Sequence, residues 1–447
     1  MNMRKMILAL MLFFFMLVFS ACNLLDLELN EHSYYDNENG SEPITTIIPA
    51  VTPAPTPAPP PRTTITFNGF SRHNQANREL VSIFNSISER VYVEYIEFTS
   101  YEHALTRIEA IIAGGDPFFD VIDINAMWVA SMVYSGVLEP LNDRMERDFI
   151  SFDGMQRELQ SAALSGGIFW AMPRGFTIGV LAMSENATTF APSSWDALIS
   201  QSAGFREAGW DFGYTSSLGH FEETFRYMLE FIYGNGGRMF DANGDFSIVN
   251  PGAISGLNQL REAAFAGGLP ANIAAFSGTN AQSAFFDGRS AFLRADSDIW
   301  ALGDFIGITD DIRFSIAPLP FSSNFPIMDG YLTAISASSQ NKDAAWEFLQ
   351  FLISEQAQII HATNGQIPAY MPLMTNRDVL QANPHFSLSN FQQLASNARV
   401  GANTPNFREY LHIIQIEFGH FMQGNRTARE FVEEVQRAID IISEASY

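Results

Sequence analysis

One cysteine, Cys22, stands in the whole 447-residue chain, so no intramolecular disulfide can form and the fold must be held by its core. Lysine is almost as scarce. Lys5 and Lys342 are the only two, and neither closes a Gly-x-x-x-x-Gly-Lys loop, which excludes lysine-dependent ATP or GTP chemistry. Basic charge is short overall, with 25 Lys and Arg against 49 Asp and Glu, for a formal net charge of −24. Such a surface repels polyphosphate, and no nucleic-acid partner is expected. Charged residues make up only 17% of the chain while 47% are apolar, the reverse of the balance that keeps a chain disordered. The length corresponds to about two or three domains.

Catalytic signatures are missing as well. There is no Gly-x-Ser-x-Gly elbow and no His-Glu-x-x-His, and the nearest approach to Gly-x-Gly-x-x-Gly, at Gly234-Asn235-Gly236-Gly237, lacks its last glycine. Acidic pairs such as Glu222-Glu223 identify no glycosidase, whose carboxylates are recognised by their separation in space. Asp241-Ala242-Asn243-Gly244-Asp245 opens like a calcium loop, but Phe246 stands where glycine is needed and Gly252 where the bidentate glutamate belongs. A hairpin turn around Asn243-Gly244 is the expected structure. The eight histidines are scattered, and His412 and His420 fall on different helix faces, so neither a metal nor a cofactor is expected.

What is present begins with an export signal. Arg4 and Lys5 precede an apolar run from Met6 to Phe19, then Ser20, Ala21 and Cys22. The run is shorter than the roughly 20 residues a spanning helix needs, and it ends in small residues, as a secretory signal peptide over 1–21 would. Cys22 directly after Ser20-Ala21 resembles the lipobox of bacterial lipoproteins, in which the peptidase cuts before a cysteine carrying a diacylglycerol thioether. Phe19 stands where that family usually has Leu, Val or Ile. The resemblance implies lipidation at Cys22 and anchoring on the extracytoplasmic face of the cell membrane. Residues 22–62 follow as an acidic, then proline-rich tether ending in Pro53-Ala54-Pro55-Thr56-Pro57-Ala58-Pro59-Pro60-Pro61, extended because proline denies it helix and ladder bonds.

From Thr63 the pattern alternates between strand and helix. Period-two segments fall at Thr63–Phe67, Val91–Phe98, Asp120–Ile124, Gly179–Met183, Ala291–Arg294 and Phe314–Leu319. Helical spacing falls after Asn77 and at His103–Ala113, Phe221–Tyr233, Ile254–Ala266, Lys342–Ile353 and Thr427–Ser443, the last with a stripe of Phe431, Val435, Ala438 and Ile442. The first three elements are a βαβ start, which points to an α/β fold.

Four stretches then carry a family resemblance across nearly all of 63–447. Gly114-Gly115-Asp116-Pro117 to Asp120-Val121-Ile122-Asp123, followed by Gly136-Val137-Leu138-Glu139-Pro140-Leu141, looks like "Gly-x-x-Pro-Asp-Val" and "Gly-x-Leu-x-Pro-Leu". Gly167-Ile168-Phe169-Trp170-Ala171-Met172-Pro173, then Val180 to Met183 and Pro192-Ser193-Ser194-Trp195-Asp196, looks like "Gly-Lys-x-Tyr-x-x-Pro", a strand and "Pro-x-Thr-Trp"; the usual Tyr-Asn-Lys after the strand is replaced by Ser184-Glu185-Asn186. Phe286 to Phe292 with Asp296 and Trp300 is the third. Gly330-Tyr331 to Ile335, Lys342 to Leu349 and Gly365-Gln366-Ile367-Pro368 are the last. Together they resemble the extracellular solute-binding proteins of bacterial ABC importers, in the branch of the maltose and multi-sugar receptors.

The resemblance implies a periplasmic-binding-protein-like fold of two α/β lobes with a three-crossing hinge and a ligand cleft between them. Crossings fall near Phe176–Val180, Gly330–Ala334 and Leu380, so that 63–177 with 333–378 forms the N-terminal lobe and 179–330 with 381–447 the C-terminal one. The implied function is a monomeric, lipid-anchored receptor that captures a carbohydrate and delivers it to an ABC permease by hinge closure. A non-sugar solute, a sensor kinase as partner, and a secreted carbohydrate-active enzyme are the alternatives.

A sugar offers hydroxyls at its edge and a C–H face, so its site needs planar polar groups and aromatic rings at strand ends. Phe70, Ser71 and His73 follow the first strand, and Asp123, Asn125 and Trp128 the third. Arg174 and Phe176 lie at the first crossing, Ser216 and His220 before a second-lobe helix, Asp296 and Trp300 after a strand, and Asp329 and Tyr331 at the second crossing. Phe407 and Tyr410 lie in the segment where the family has a stacking aromatic. Trp195 and Trp346 match positions of core packing, and Trp170 fits core or cleft equally.

Overall fold

The computed structural model describes residues 61–70, 73–98, 101–114, 119–219, 221–241, 244–272, 276, 278–301, 313–320, 326–388 and 390–445, with backbone alone at 101–105, 112, 221 and 445. The signal segment, Cys22 and the tether lie outside these. Among the described residues no helix is long and apolar enough to cross a membrane.

The strands are β1 (Thr63–Gly69), β2 (Val91–Glu97), β3 (Val121–Asn125), β4 (Leu164–Ser165), β5 (Ile168–Phe169), β6 (Met172–Ser184), β7 (Phe212–Thr215), β8 (Ser290–Asp296), β9 (Phe314–Pro318), β10 (Ile327–Ile335), β11 (Ile367–Pro368) and β12 (Arg399–Val400). Ten of them follow the order β2-β1-β3-β10-β6-β8-β7, with β9, β11 and β12 attached to β6 and β10, and β4 pairs β5 separately. Parallel pairing of β1 with β2 and β3, joined by helices Asn74–Ile87 and Tyr101–Ile112, is the βαβ unit expected from the alternation. Strand β10 then runs antiparallel to β3, with Tyr331 opposite Asn125 and Thr333 opposite Asp123.

Strand β6 joins two sheets. Its first half pairs β10, with Gly330 opposite Phe176 and Asp329 opposite Thr177. Its second half, Gly179–Met183, pairs β8, with Gly179 opposite Asp296, and from Val180 to Ser184 it also pairs β9. The sequence pattern marks only Gly179–Met183, yet the strand starts seven residues earlier, at Met172. Pro173 and Gly175 disfavour strand on propensity, and full burial with pairing to β10 overrides it; Gly175 also pairs β11, and Arg174 stands at a bulge where the register shifts between Tyr331 and Leu332. Gly179 is needed at the switch, because a Cβ there would lie 2.4 Å from Glu230 Oε1 and 2.5 Å from Arg294 Nη2.

Two cores flank this frame. Phe67, Phe84 and Phe348 meet edge to face at 4.9–5.2 Å, with Trp346 buried beside them and its Nε1 donating to Asp148 at 2.6 Å. On the other side Trp195 packs on Phe231 at 4.1 Å under helices Trp195–Glu207, Phe221–Gly234 and Pro251–Gly267. The expected helices form, and chemistry explains their ends. Asn250 accepts from the Ala253 amide, Pro251 follows, and Gly268 closes the turn at φ 93°. Thr427 and Glu430 cap the last helix, Ala428–Ala445, reciprocally. Its buried stripe is Ala428, Phe431, Val432, Val435 and Ile439; the expected Phe431 and Val435 belong to it, while Ala438 and Ile442 are half-buried. Phe240 and Phe246 form a bridge, the Gly244 amide donates to the Asp241 carbonyl and the Asp241 carboxylate accepts the Asp245 amide, while Asn243 of the expected hairpin turn lies outside the described residues.

Candidate functional site

Two buried charged clusters lie against β6, one on its first half and one beside its second half, and they are linked near the end of β3 and along β10. Arg174 comes from the first half. Its Nη1 donates to both Asp123 oxygens at 2.6 and 2.7 Å, and its Nη2 donates to Asn77 Oδ1 at 2.9 Å and abuts His361 Nε2. Thr333 donates to Asp123 Oδ1 at 2.6 Å. Burial, and then the Arg174 charge, holds the His361 imidazole well below the usual histidine range, so it is neutral and can accept from the guanidinium. His73 stands 4.2 Å edge-on from the Tyr331 ring, with Phe70 6.0 Å from the same ring.

The second cluster is built on helix Phe221–Gly234. Glu222, Arg226 and Glu230, spaced by four, share one face, while Glu222 and Glu223 in its first turn suit the helix dipole. Arg226 donates to Asp296 at 3.1 and 3.2 Å and pairs with Asp329 at 3.4 Å. Arg294, on β8, donates to Asp296 at 2.6 Å, pairs with Glu230, and lies 3.9 Å over the Tyr227 ring.

Three contacts join the clusters. Asn125, at the end of β3, donates to Asp329 Oδ1, and the Tyr331 hydroxyl donates to Asp329 Oδ2 at 2.8 Å. Trp128, in the turn after β3, donates its Nε1–H to Glu222 Oε1 while its ring packs on Phe407 at 5.2 Å. Burial, with the nearby Asp329 charge, pushes the Glu222 carboxyl well above the usual range, and Arg226 only partly offsets this.

Of the residues marked by sequence, Asn125, Trp128, Asp296, Asp329 and Tyr331 therefore converge, with Phe70 and His73 against Tyr331. Asp123 and Arg174 are buried and spent on each other. Phe176 is buried within β6, and Phe407 is buried between Trp128 and Phe225. Ser216 is buried beside Tyr214. Tyr410 stands apart, against Phe246 at 5.4 Å and with its hydroxyl 3.2 Å from Ser443. Trp300 stacks on Phe314 at 4.0 Å and keeps 38% of its surface exposed, the most accessible aromatic of the set. Trp170 is half-buried, its Nε1 donating to the Ser165 carbonyl. Ser71 and His220 lie outside the described residues.

Asn77, Glu222, Arg226, Glu230, Arg294 and His361 were not marked. A signal existed for three of them, since Glu222, Arg226 and Glu230 put charges at fixed four-residue spacing into an otherwise apolar helix face. Among the described residues no group of three or more His, Cys, Asp or Glu is placed to hold a metal. A separate cavity of 390 Å3 lies beside β2, lined by Thr66, Glu94, Ile96, Glu97, Phe98, Arg107 and Phe119, none of them a marked residue. The convergent groups are hydrogen-bonding amides, carboxyls, hydroxyls and aromatic faces, which can hold polar edges and apolar faces of a ligand.

The fold is that of two-lobed binding proteins. Maltose-bound MalE3 of T. maritima covers 85% of this chain and 100% of its own, at 20% identity and a TM-score of 0.75. An ABC substrate-binding protein from Listeria monocytogenes in complex with cycloalternan covers 86% and 100%, at 18% identity and 0.76. A solute-binding protein from Thermotoga lettingae bound with α-D-tagatose covers 85% and 99%, at 18% identity and 0.72. Residues 91–359 match the sequence model of the bacterial extracellular solute-binding proteins, and the chain belongs to that family.

Proposed function

We propose that this protein is a carbohydrate receptor of an ABC importer, which binds a mono- or oligosaccharide between its lobes and presents the closed form to permease subunits. The observation that carries this reading is β6, one strand hydrogen-bonded into two sheets, with aromatic and planar polar side chains gathered at the switch. Open sheets bind ligands at strand ends where the connections diverge, and a strand shared by two bodies is a natural hinge. Within this reading 63–177 with 333–378 and 179–330 with 381–447 are the lobes, and β10 and the segment around Leu380 are the second and third crossings. The solved structures named above hold maltose, cycloalternan and tagatose, which makes a sugar the first ligand class to test.

The receptor is proposed to be monomeric and non-enzymatic. It hangs from the extracytoplasmic face of the membrane by a diacylglycerol on Cys22, with 22–62 as the spacer. Calorimetric titration against maltose, maltotriose, tagatose and ribitol, preceded by mass spectrometry of any molecule retained through gentle purification, tests the ligand class. Saturable one-to-one binding of a sugar supports it; a retained non-sugar solute with no sugar binding contradicts it.

A further inference from the structure

The second cluster is unbalanced. Among the described residues Glu222, Glu230, Asp296 and Asp329 face only Arg226 and Arg294, and the contacts divide those two cations among three of the four carboxyls. Arg294 serves Glu230 and Asp296, and Arg226 serves Asp296 and Asp329. Glu222 has no basic side chain within ion-pair distance among the described residues, and its partner is the neutral Trp128 Nε1–H. That partner comes from the turn after β3, whereas Glu222 sits on the helix that carries the second cluster. Parting of these two elements breaks the contact and returns the carboxyl to water.

We propose that Glu222 and Trp128 form a proton-operated latch across the cleft, with the Glu222 carboxyl neutral when Trp128 docks on it and ionised when they part. This rests on the closing cleft proposed above. The charges acting on Glu222 are Asp329 on β10 and Arg226 and Glu223 on its own helix. Helix Pro251–Gly267, packed on the same helix, buries Leu257 and Leu260. Helix Phe407–Met422 brings Phe407, which touches both Trp128 and Phe225. None of these apolar neighbours can replace a cation. The Trp128 N–H favours the ionised form, but burial and the like charge of Asp329 act against it and dominate.

The sign follows from linkage. The docked carboxyl holds its proton to higher pH than the free one, so docking takes up a proton and is favoured as pH falls. Between the two values the docked-to-open ratio changes by up to about tenfold per pH unit.

The test is small-angle scattering of the mature protein, without added ligand, at pH 5 and pH 8. The wild type is expected to be more compact at pH 5, and Glu222→Gln, which keeps the shape and the Trp128 acceptor but cannot ionise, compact at both. Trp128→Phe, which keeps a ring and removes the donor, should be less compact than wild type at pH 5. A wild type with no pH response overturns the latch, as does a Glu222→Gln variant with the wild-type response. Should Glu222→Gln fail to fold, Trp128→Phe decides, and a curve equal to that of the wild type at pH 5 overturns the proposal. Because no sugar is added, failure here is distinct from failure of the sugar-receptor reading.

Discussion

Arg174 and Asp123 face each other through one nitrogen, Nη1, that donates to Oδ1 at 2.6 Å and to Oδ2 at 2.7 Å, with both side chains buried. The pair ties β6 to β3, and Asn77 and Thr333 extend it to the first long helix and to β10. Removing one partner of such a pair leaves an uncompensated buried charge, which typically costs about 3–5 kcal/mol. Asp123→Asn should therefore lower the stability seen in urea unfolding by about that amount. A loss under about 1 kcal/mol, the range of an exposed pair, would mean that water reaches the guanidinium.

Trp300 and Trp346 should separate binding from folding. Trp300 is partly exposed and stacked on Phe314, so its outer surface is available to the C–H face of a sugar. A contact of that kind is worth roughly 1–3 kcal/mol, and Trp300→Ala should weaken sugar affinity by about ten- to a hundredfold. Trp346→Ala empties a buried site and should cost about 3–5 kcal/mol of stability. Calorimetric titration and thermal melting of both variants check this. Unchanged affinity in Trp300→Ala with a large drop in melting temperature would assign Trp300 to the core.

His385 predicts an acid limit. Its ring is buried against Phe386 and Phe391, and burial lowers its pKa to about 4. In the unfolded chain histidine takes a proton near pH 6.5, so the unfolded state binds more protons between these values. The stabilisation is fully present above about pH 6.5 and is lost as pH falls towards 4, by up to about 3 kcal/mol at about 1.4 kcal/mol per unit. His361, also held neutral by burial, pushes the same way. Urea unfolding at pH 7 and pH 4.5 should show a smaller loss for His385→Phe than for wild type. Equal losses would remove His385 as a cause.

Anchoring is tested at Cys22. Cys22→Ala should release the protein into the medium or leave it as unprocessed precursor, seen by fractionation and immunoblotting. Retention on the membrane at mature size would contradict a lipid anchor.

Helices Trp195–Glu207 and Phe407–Met422 and strand β10 were not marked, while the α/β alternation and most of the other long elements were legible, because period two and period 3.6 survive in a chain this rich in apolar residues. The first half of β6 was not, since Pro173, Arg174 and Gly175 look like a loop until their neighbours are known. In the site, Asn125 was found by its place at the end of β3, and Asp329 and Tyr331 by the second crossing that the family resemblance implies, although both lie inside β10. Their partners were harder, because Arg226, Glu222 and Arg294 lie inside a helix or a strand and their role comes from pairings across distant segments. His361 looked like any scattered histidine until Arg174 stood beside it.

The central claim is that ligand closes two lobes about β6. Small-angle scattering at fixed pH, with and without a saturating concentration of the sugar that titrates best, tests it most directly. A smaller radius of gyration is expected with sugar; superimposable curves at saturation would rule out closure of the lobes about β6.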